Sequence, residues 1–232
     1  MNYLLNLEYL EAEYYLRATT GSGLPAGLIG SSPGAVTGGA KVPFQTPFYS
    51  SVAAEFATIE QDHVQSLQGV LFSGAVSRPT INFTAGFQAV GSLSGIGSSF
   101  NPFADESSFL LGAFFLADLV STAYAGVFGV DSGLLGSIMN VECYQGGVMR
   151  AIVISTGGTL LANATAIKNY RSTYGGGAET SLTAGTQSWT ALYTELGASA
   201  IRQPSSILEL LYESSTGVSG SFFPKKFNGF IL

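Results

Sequence analysis

The chain has 232 residues, 46% of them hydrophobic, only 10% charged, and 30 of them glycine, which is apolar material for one sizeable core with far less charge than the ~25% of an average soluble domain. A net charge of −6, with nine Lys plus Arg scattered singly, leaves no basic stripe to neutralise a run of phosphates, so nucleic acid is not expected as a partner. A single cysteine, Cys143, rules out an internal disulfide framework and a zinc knuckle.

The first residues, Met1 to Glu8, lack a basic stretch and reach an acid before any apolar run can finish, so no secretion signal is expected in this numbering and the compartment stays open. Residues 2–18 contain no Gly or Pro and set Leu4, Leu7, Tyr14, Tyr15 and Leu16 among polar positions, which predicts a first, amphipathic helix. Residues 20–47 are dense in Gly, Ser and Pro and read as a long loop. From Phe48 to Leu71, Val52, Phe56, Ile59, His63, Leu67 and Val70 recur at three or four residues, predicting a second helix.

Residues 73–104 read as a long crossover, well beyond the ~2–8 residues that join neighbouring antiparallel helices. Asp105 can cap a third helix from Glu106 to about Val127, and Ser132 can open a fourth that runs past Glu142 and Arg150. A shorter fifth helix is predicted over Leu160–Tyr170, a sixth starts at Pro204, and from Ser214 onward the chain reads as a tail. Phe109 to Val130 holds one charge, Asp118, and is long enough to span a bilayer, but a central Asp costs ~2.5–3.5 kcal/mol there. A buried bundle helix is the reading, without an integral membrane span.

No Ser-His-Asp arrangement can be argued from the single histidine, and no Walker-type phosphate loop is present. Chemistry gathers instead on Glu60 and His63, which stand three residues apart on the second helix and can share one cation. Glu8 lies on the first helix, and Glu142 on the fourth is followed three residues later by Gln145. Inward carboxylates and imidazole on four helices are the arrangement of carboxylate-bridged metal pairs.

With Asn6 to Tyr15, Glu60-Gln61-Asp62-His63-Val64, Asn101 to Glu106, Asp118 to Gly126, Glu142 to Arg150 and Phe222 to Gly229, the sequence resembles the ferritin-like domain proteins related to plant desiccation-related and to fungal and bacterial stress-response proteins. The resemblance covers nearly the whole chain. It implies an all-α fold: a ferritin-like four-helix bundle over residues 2–155 of a single domain spanning 1–232, a long crossover between helices 2 and 3, and extra C-terminal helices and an extended tail over 156–232. It also implies metal ligands at Glu8, Glu60, His63 and Glu142. Two positions depart: Ala117 stands where the third helix would carry its Glu, and Gln145 where the fourth would carry its His. Both belong to the second metal, so a two-metal oxygen chemistry is not expected, while one position keeps its set.

Two readings of the patch stay open: one Fe or Mn ion, or no ion and a polar patch satisfied by water and hydrogen bonds. Without a cation, neighbouring buried carboxylates repel and at least one should keep its proton. Glu11, one turn from Glu8, can replace it as the inward residue. Tyr14, Tyr15 and Tyr144 could be redox partners of a metal or plain packing residues. Asp62 and Asp118 are expected to be solvated or capping, and Cys143 to point away from the metal face. The functions expected are a non-enzymatic structural, self-assembling or stress- and desiccation-associated protein, or alternatively a mononuclear Fe/Mn oxidoreductase acting on oxygen or peroxide species. Low charge and the aromatic tail, Phe222, Phe223, Phe227 and Phe230, favour self-association or docking of the tail onto its own bundle.

Overall fold

The computed structural model describes residues 1–127, 133–176, 179–184, 187–188, 200–213 and 219–229. Seven helices occur among them: α1 (Asn2–Thr20), α2 (Pro47–Leu71), α3 (Phe83–Ser94), α4 (Glu106–Val127), α5 (Leu134–Thr156), α6 (Gly158–Tyr174) and α7 (Pro204–Tyr212). α1 packs along α2 and α4 along α5, with α1 also against α4; these four form the bundle, and α6 and α7 pack outside it on α4.

Local chemistry sets the helix ends. Gly21, at φ 83°, closes α1 by donating to Arg17 O, a left-handed cap that glycine adopts without steric cost. Pro47 opens α2 at a position where its missing N–H is no loss. Asp105 caps α4 as expected, its Oδ1 accepting from Ser108 N at 2.8 Å. Glu106 then accepts from the Gln45 and Thr46 amides and from Thr46 Oγ1, tying the start of α2 to the start of α4. The opening of α5 at Ser132 lies outside the described residues; α5 is described from Leu134.

Two expectations change. The crossover is not plain loop: it contains α3, with Asn82 Oδ1 accepting from Ala85 N as its N-cap, and a two-residue parallel pairing of Val36–Thr37 with Ile81–Asn82. The glycines that suggested loop serve close packing, since a side chain at Gly86 would collide with the Phe222 ring. Nor is α1 amphipathic in its setting. Asn6, Glu8, Glu11 and Glu13 are all fully buried: Glu8 faces the other bundle helices, while tail and crossover cover Asn6 and Glu13 on the outer side. Glu13 pairs with Arg17 and Arg78, Tyr9 donates to Val76 O, and Asn6 exchanges hydrogen bonds with Asn228.

The core is rich in aromatic rings. Tyr14 contacts Phe83, Phe87, Phe103 and Phe109 at centroid distances of 5.2–6.0 Å, joining α1, α3 and α4. The tail docks on its own chain: Phe222, Phe223 and Phe227 are buried, with Phe222 edge-on to Phe87 at 5.0 Å, while Phe230 lies outside the described residues. α4 is the one described helix long and apolar enough to cross a membrane, and 83% of its most apolar window is buried inside the protein.

Asp118 departs from the solvated or capping role expected of it. It is buried and paired with Arg150 at 2.8 Å and Arg171 at 2.7 Å. Arg171 continues to Glu179, which also pairs with Arg202. Charges taken from water this completely require mutual pairing, and here the pairing fastens α5, α6, Glu179 and Arg202 to α4.

Candidate metal centre

Three bundle helices deliver the cluster. Glu8 comes from α1, Glu60 and His63 from one face of α2, and Glu142 from α5; one ligand atom from each lies within 4.8 Å of all the others. His63 Nδ1 stands 3.2 Å from Glu8 Oε2, 3.1 Å from Glu142 Oε1 and 3.5 Å from Glu60 Oε2. The three carboxylates have no solvent exposure, and His63 retains 7%.

Neighbouring side chains hold the carboxylates in place. Tyr124 of α4 donates to Glu8 Oε1. Gln145 of α5 donates from Nε2 to Glu60 Oε1 at 2.5 Å. Glu60 Oε2 and both oxygens of Glu142 take no hydrogen bond, with His63 Nδ1 the charge beside Glu60 Oε2 and Glu142 Oε1, and buried carboxylates this short of donors are costly. Donors left open toward one point, with a histidine among them, fit a divalent transition metal.

The electrostatics express the same crowding. Burial alone would lower the His63 imidazole pKa, but Glu8, Glu142 and Glu60 outweigh it and hold the ring protonated well above its ordinary range. Burial, then the Glu8 charge, pushes Glu142 up to about 7. Burial and Glu142 raise Glu60 well above the carboxylate range. Protons thus take the place of a cation, as expected of carboxylates this close.

Glu11 does not replace Glu8: both face inward, and Glu11 is fully buried with neither oxygen hydrogen-bonded. Of the three tyrosines considered, only Tyr15 feels the cluster, its pKa raised by burial and then by Glu11 and Glu60. Tyr14 donates to Phe109 O within the aromatic core, and Tyr144 is exposed, donating to Glu55. Cys143 is exposed, away from the cluster. Ala117 is buried on α4, its carbonyl facing Gly146 beside Gln145. Tyr124 is the residue that sequence reasoning missed; its signal was a tyrosine two turns beyond Ala117 on the same helical face.

Residues 1–155, the four bundle helices with their crossover, match the ferritin-like domain. The chain belongs to the ferritin-like domain family. Among ferritin-like relatives, it is 28% identical over 175 residues to the ferritin-like catalase Nec2 of Nesocodon mauritianus, covering 70% of this chain and 55% of that protein. It is 27% identical over 165 residues to the desiccation-related protein PCC13-62 of Craterostigma plantagineum, covering 66% and 51%. The chain thus spans about half the length of these curated relatives. No solved structure matches it.

Proposed function

We propose that this ferritin-like protein is a stress- or desiccation-associated protein that holds an Fe or Mn ion at Glu8, Glu60, His63 and Glu142. The observation that carries the metal is the set of open donors: a buried imidazole nitrogen and three carboxylates converge within 4.8 Å, and three of the carboxylate oxygens have no hydrogen-bond partner. The desiccation-related relative and the loss of the usual second-metal ligands at Ala117 and Gln145 support a non-enzymatic role. That role rests on the bundle and its covering tail, with self-association as the expected form of assembly.

A second reading has its own support. Nec2 is named a catalase, and a bound Fe or Mn ion would supply redox chemistry toward peroxide. On that reading Tyr124 orients Glu8 and Gln145 orients Glu60, while the apolar bundle excludes bulk water. A thermal-shift titration of the stripped protein with Fe²⁺ or Mn²⁺ tests the metal, since a ligand that binds only the folded state raises the melting temperature. Wild type should shift and His63→Ala should not; equal shifts in both would remove the assignment. Peroxide decay by the loaded protein then separates the two roles, with turnover lost in His63→Ala favouring the enzyme and none in wild type favouring the scaffold.

A further inference from the structure

The crossover leaves a cavity of its own. Gly38 to Ala40, the Phe83–Gln88 stretch of α3 and residues 99–103 enclose about 450 Å³, within the ~300–1,000 Å³ range of small-molecule sites. A neighbouring cavity of about 270 Å³ shares Ser99, Phe100 and Asn101 with it. None of the residues lining either one belongs to the metal cluster.

The walls are held by the chain's own structure. Val36–Thr37 pairs with Ile81–Asn82, which sets Gly38 against the first turn of α3. Gly38 has φ +80°, and a β-carbon there would stand 2.6 Å from Thr84 Oγ1, so bare backbone is required at this wall. In the third segment Phe100 packs edge-on to Phe87 at 5.9 Å, and Asn101 Oδ1 accepts from Phe103 N at 3.1 Å. The cavity is therefore formed before any ligand arrives.

Its lining decides the chemistry. Among the described residues no ionisable side chain lines the cavity, although the chain carries a net charge of −6. A charged ligand would leave water there without a counter-charge. Thr84, Gln88 and Ser99 are exposed, and their side chains have no hydrogen-bond partner among the described residues. Hydroxyls and a carboxamide both donate and accept, so they match a ligand whose own groups do both. A wholly apolar ligand would cover these groups without pairing them, at a cost. Phe100 also lines the cavity and is only half-buried, which leaves aromatic surface for C–H groups. A molecule with hydroxyls at its edge and C–H groups on its faces meets both demands.

We propose that this cavity binds a neutral sugar of roughly one or two rings, with Thr84, Gln88 and Ser99 pairing its hydroxyls and Phe100 against its C–H surface. A free sugar and the end of a glycan present the same chemistry. The site uses no residue of the metal cluster, so its test is independent of the metal.

The test is isothermal titration calorimetry of the full chain with glucose, sucrose and maltopentaose, and with glucose 6-phosphate as the charged counterpart, in wild type, Gln88→Ala and Ser99→Trp. Both substituted positions are exposed, and melting curves check that the fold persists. Saturable binding of at least one neutral sugar is expected in wild type. It should weaken ~3–10-fold in Gln88→Ala, which removes one hydrogen-bonding group, and vanish in Ser99→Trp, where the indole fills the cavity. Maltopentaose binding more tightly than glucose assigns a glycan end as the ligand, and the reverse a free sugar. No saturable binding of any neutral sugar overturns the proposal. So does equal affinity in wild type and the variants, or glucose 6-phosphate binding as tightly as the neutral sugars. Should Ser99→Trp fail to fold, Gln88→Ala decides.

Discussion

Tyr124 and Gln145 each spend a donor on one oxygen of a cluster carboxylate, and this fixes which oxygens remain for an ion. Groups that orient ligands in this way change metal affinity by ~10–100-fold when lost. Tyr124→Phe removes the donor to Glu8 without opening a large cavity, so metal affinity should fall within that range, as measured by competition with a chelator of known strength, while the fold persists. Unchanged affinity would show that Glu8 needs no positioning. His63 is the member on which the site turns. Three carboxylates without an imidazole form a general oxygen site, whereas the ring brings selectivity for transition metals.

At the scale of elements, α1 and α4 depend on what covers them. The Asp118, Arg150 and Arg171 pairs hold α4 to α5 and α6. Asp118→Asn leaves two buried guanidinium groups short of their shared counter-charge, a change that typically costs ~3–5 kcal/mol; urea unfolding should show a loss of that order. Phe223 is fully buried and lies 4.5 Å from Phe227 in an edge-on pair. Phe223→Ala should cost ~3–5 kcal/mol through cavity formation and free the tail to proteolysis, which limited digestion would reveal; an uncleaved tail would show that Phe222 and Phe227 suffice to hold it. The four long bundle helices, the Asp105 cap and the Glu60–His63 face were legible in the sequence, since helical periodicity and caps are local signals. The helix at Phe83–Ser94 was not, because glycine marks loops and close helix packing alike, and only the ring of Phe222 against Gly86 tells them apart. The burial of Glu13 and Asp118 was equally hidden. Glu13 meets Arg78, and Asp118 meets Arg150 and Arg171, and no spacing rule reaches those distances along the chain.

At the scale of the molecule, the cluster links stability to pH. Glu142 keeps its proton up to about pH 7 in the folded chain, against an ordinary glutamate value of 4.5. Between those values the native state holds a proton that the unfolded chain has released, so the stability this provides declines as pH rises from 4.5 to about 7. His63 acts in the same direction, its contribution being complete below 6.5 and lost as pH rises through its raised folded value. The metal-free protein should therefore melt higher at mildly acidic than at mildly alkaline pH, by at least the ~2–4 °C that 1 kcal/mol produces at this size. A metal displaces those protons, so stabilisation by Mn²⁺ should grow with pH over the same interval. Calorimetry on stripped and loaded protein checks both signs.

The account stands on the Glu8, Glu60, His63 and Glu142 cluster holding a metal. The measurement that bears on it most directly is metal content per chain, by elemental analysis, of protein purified without chelator or added metal, beside His63→Ala prepared identically. At least one equivalent of Fe or Mn in wild type, lost from a folded His63→Ala, is the predicted result. Metal-free wild type that also takes up neither Fe²⁺ nor Mn²⁺ on addition would contradict it.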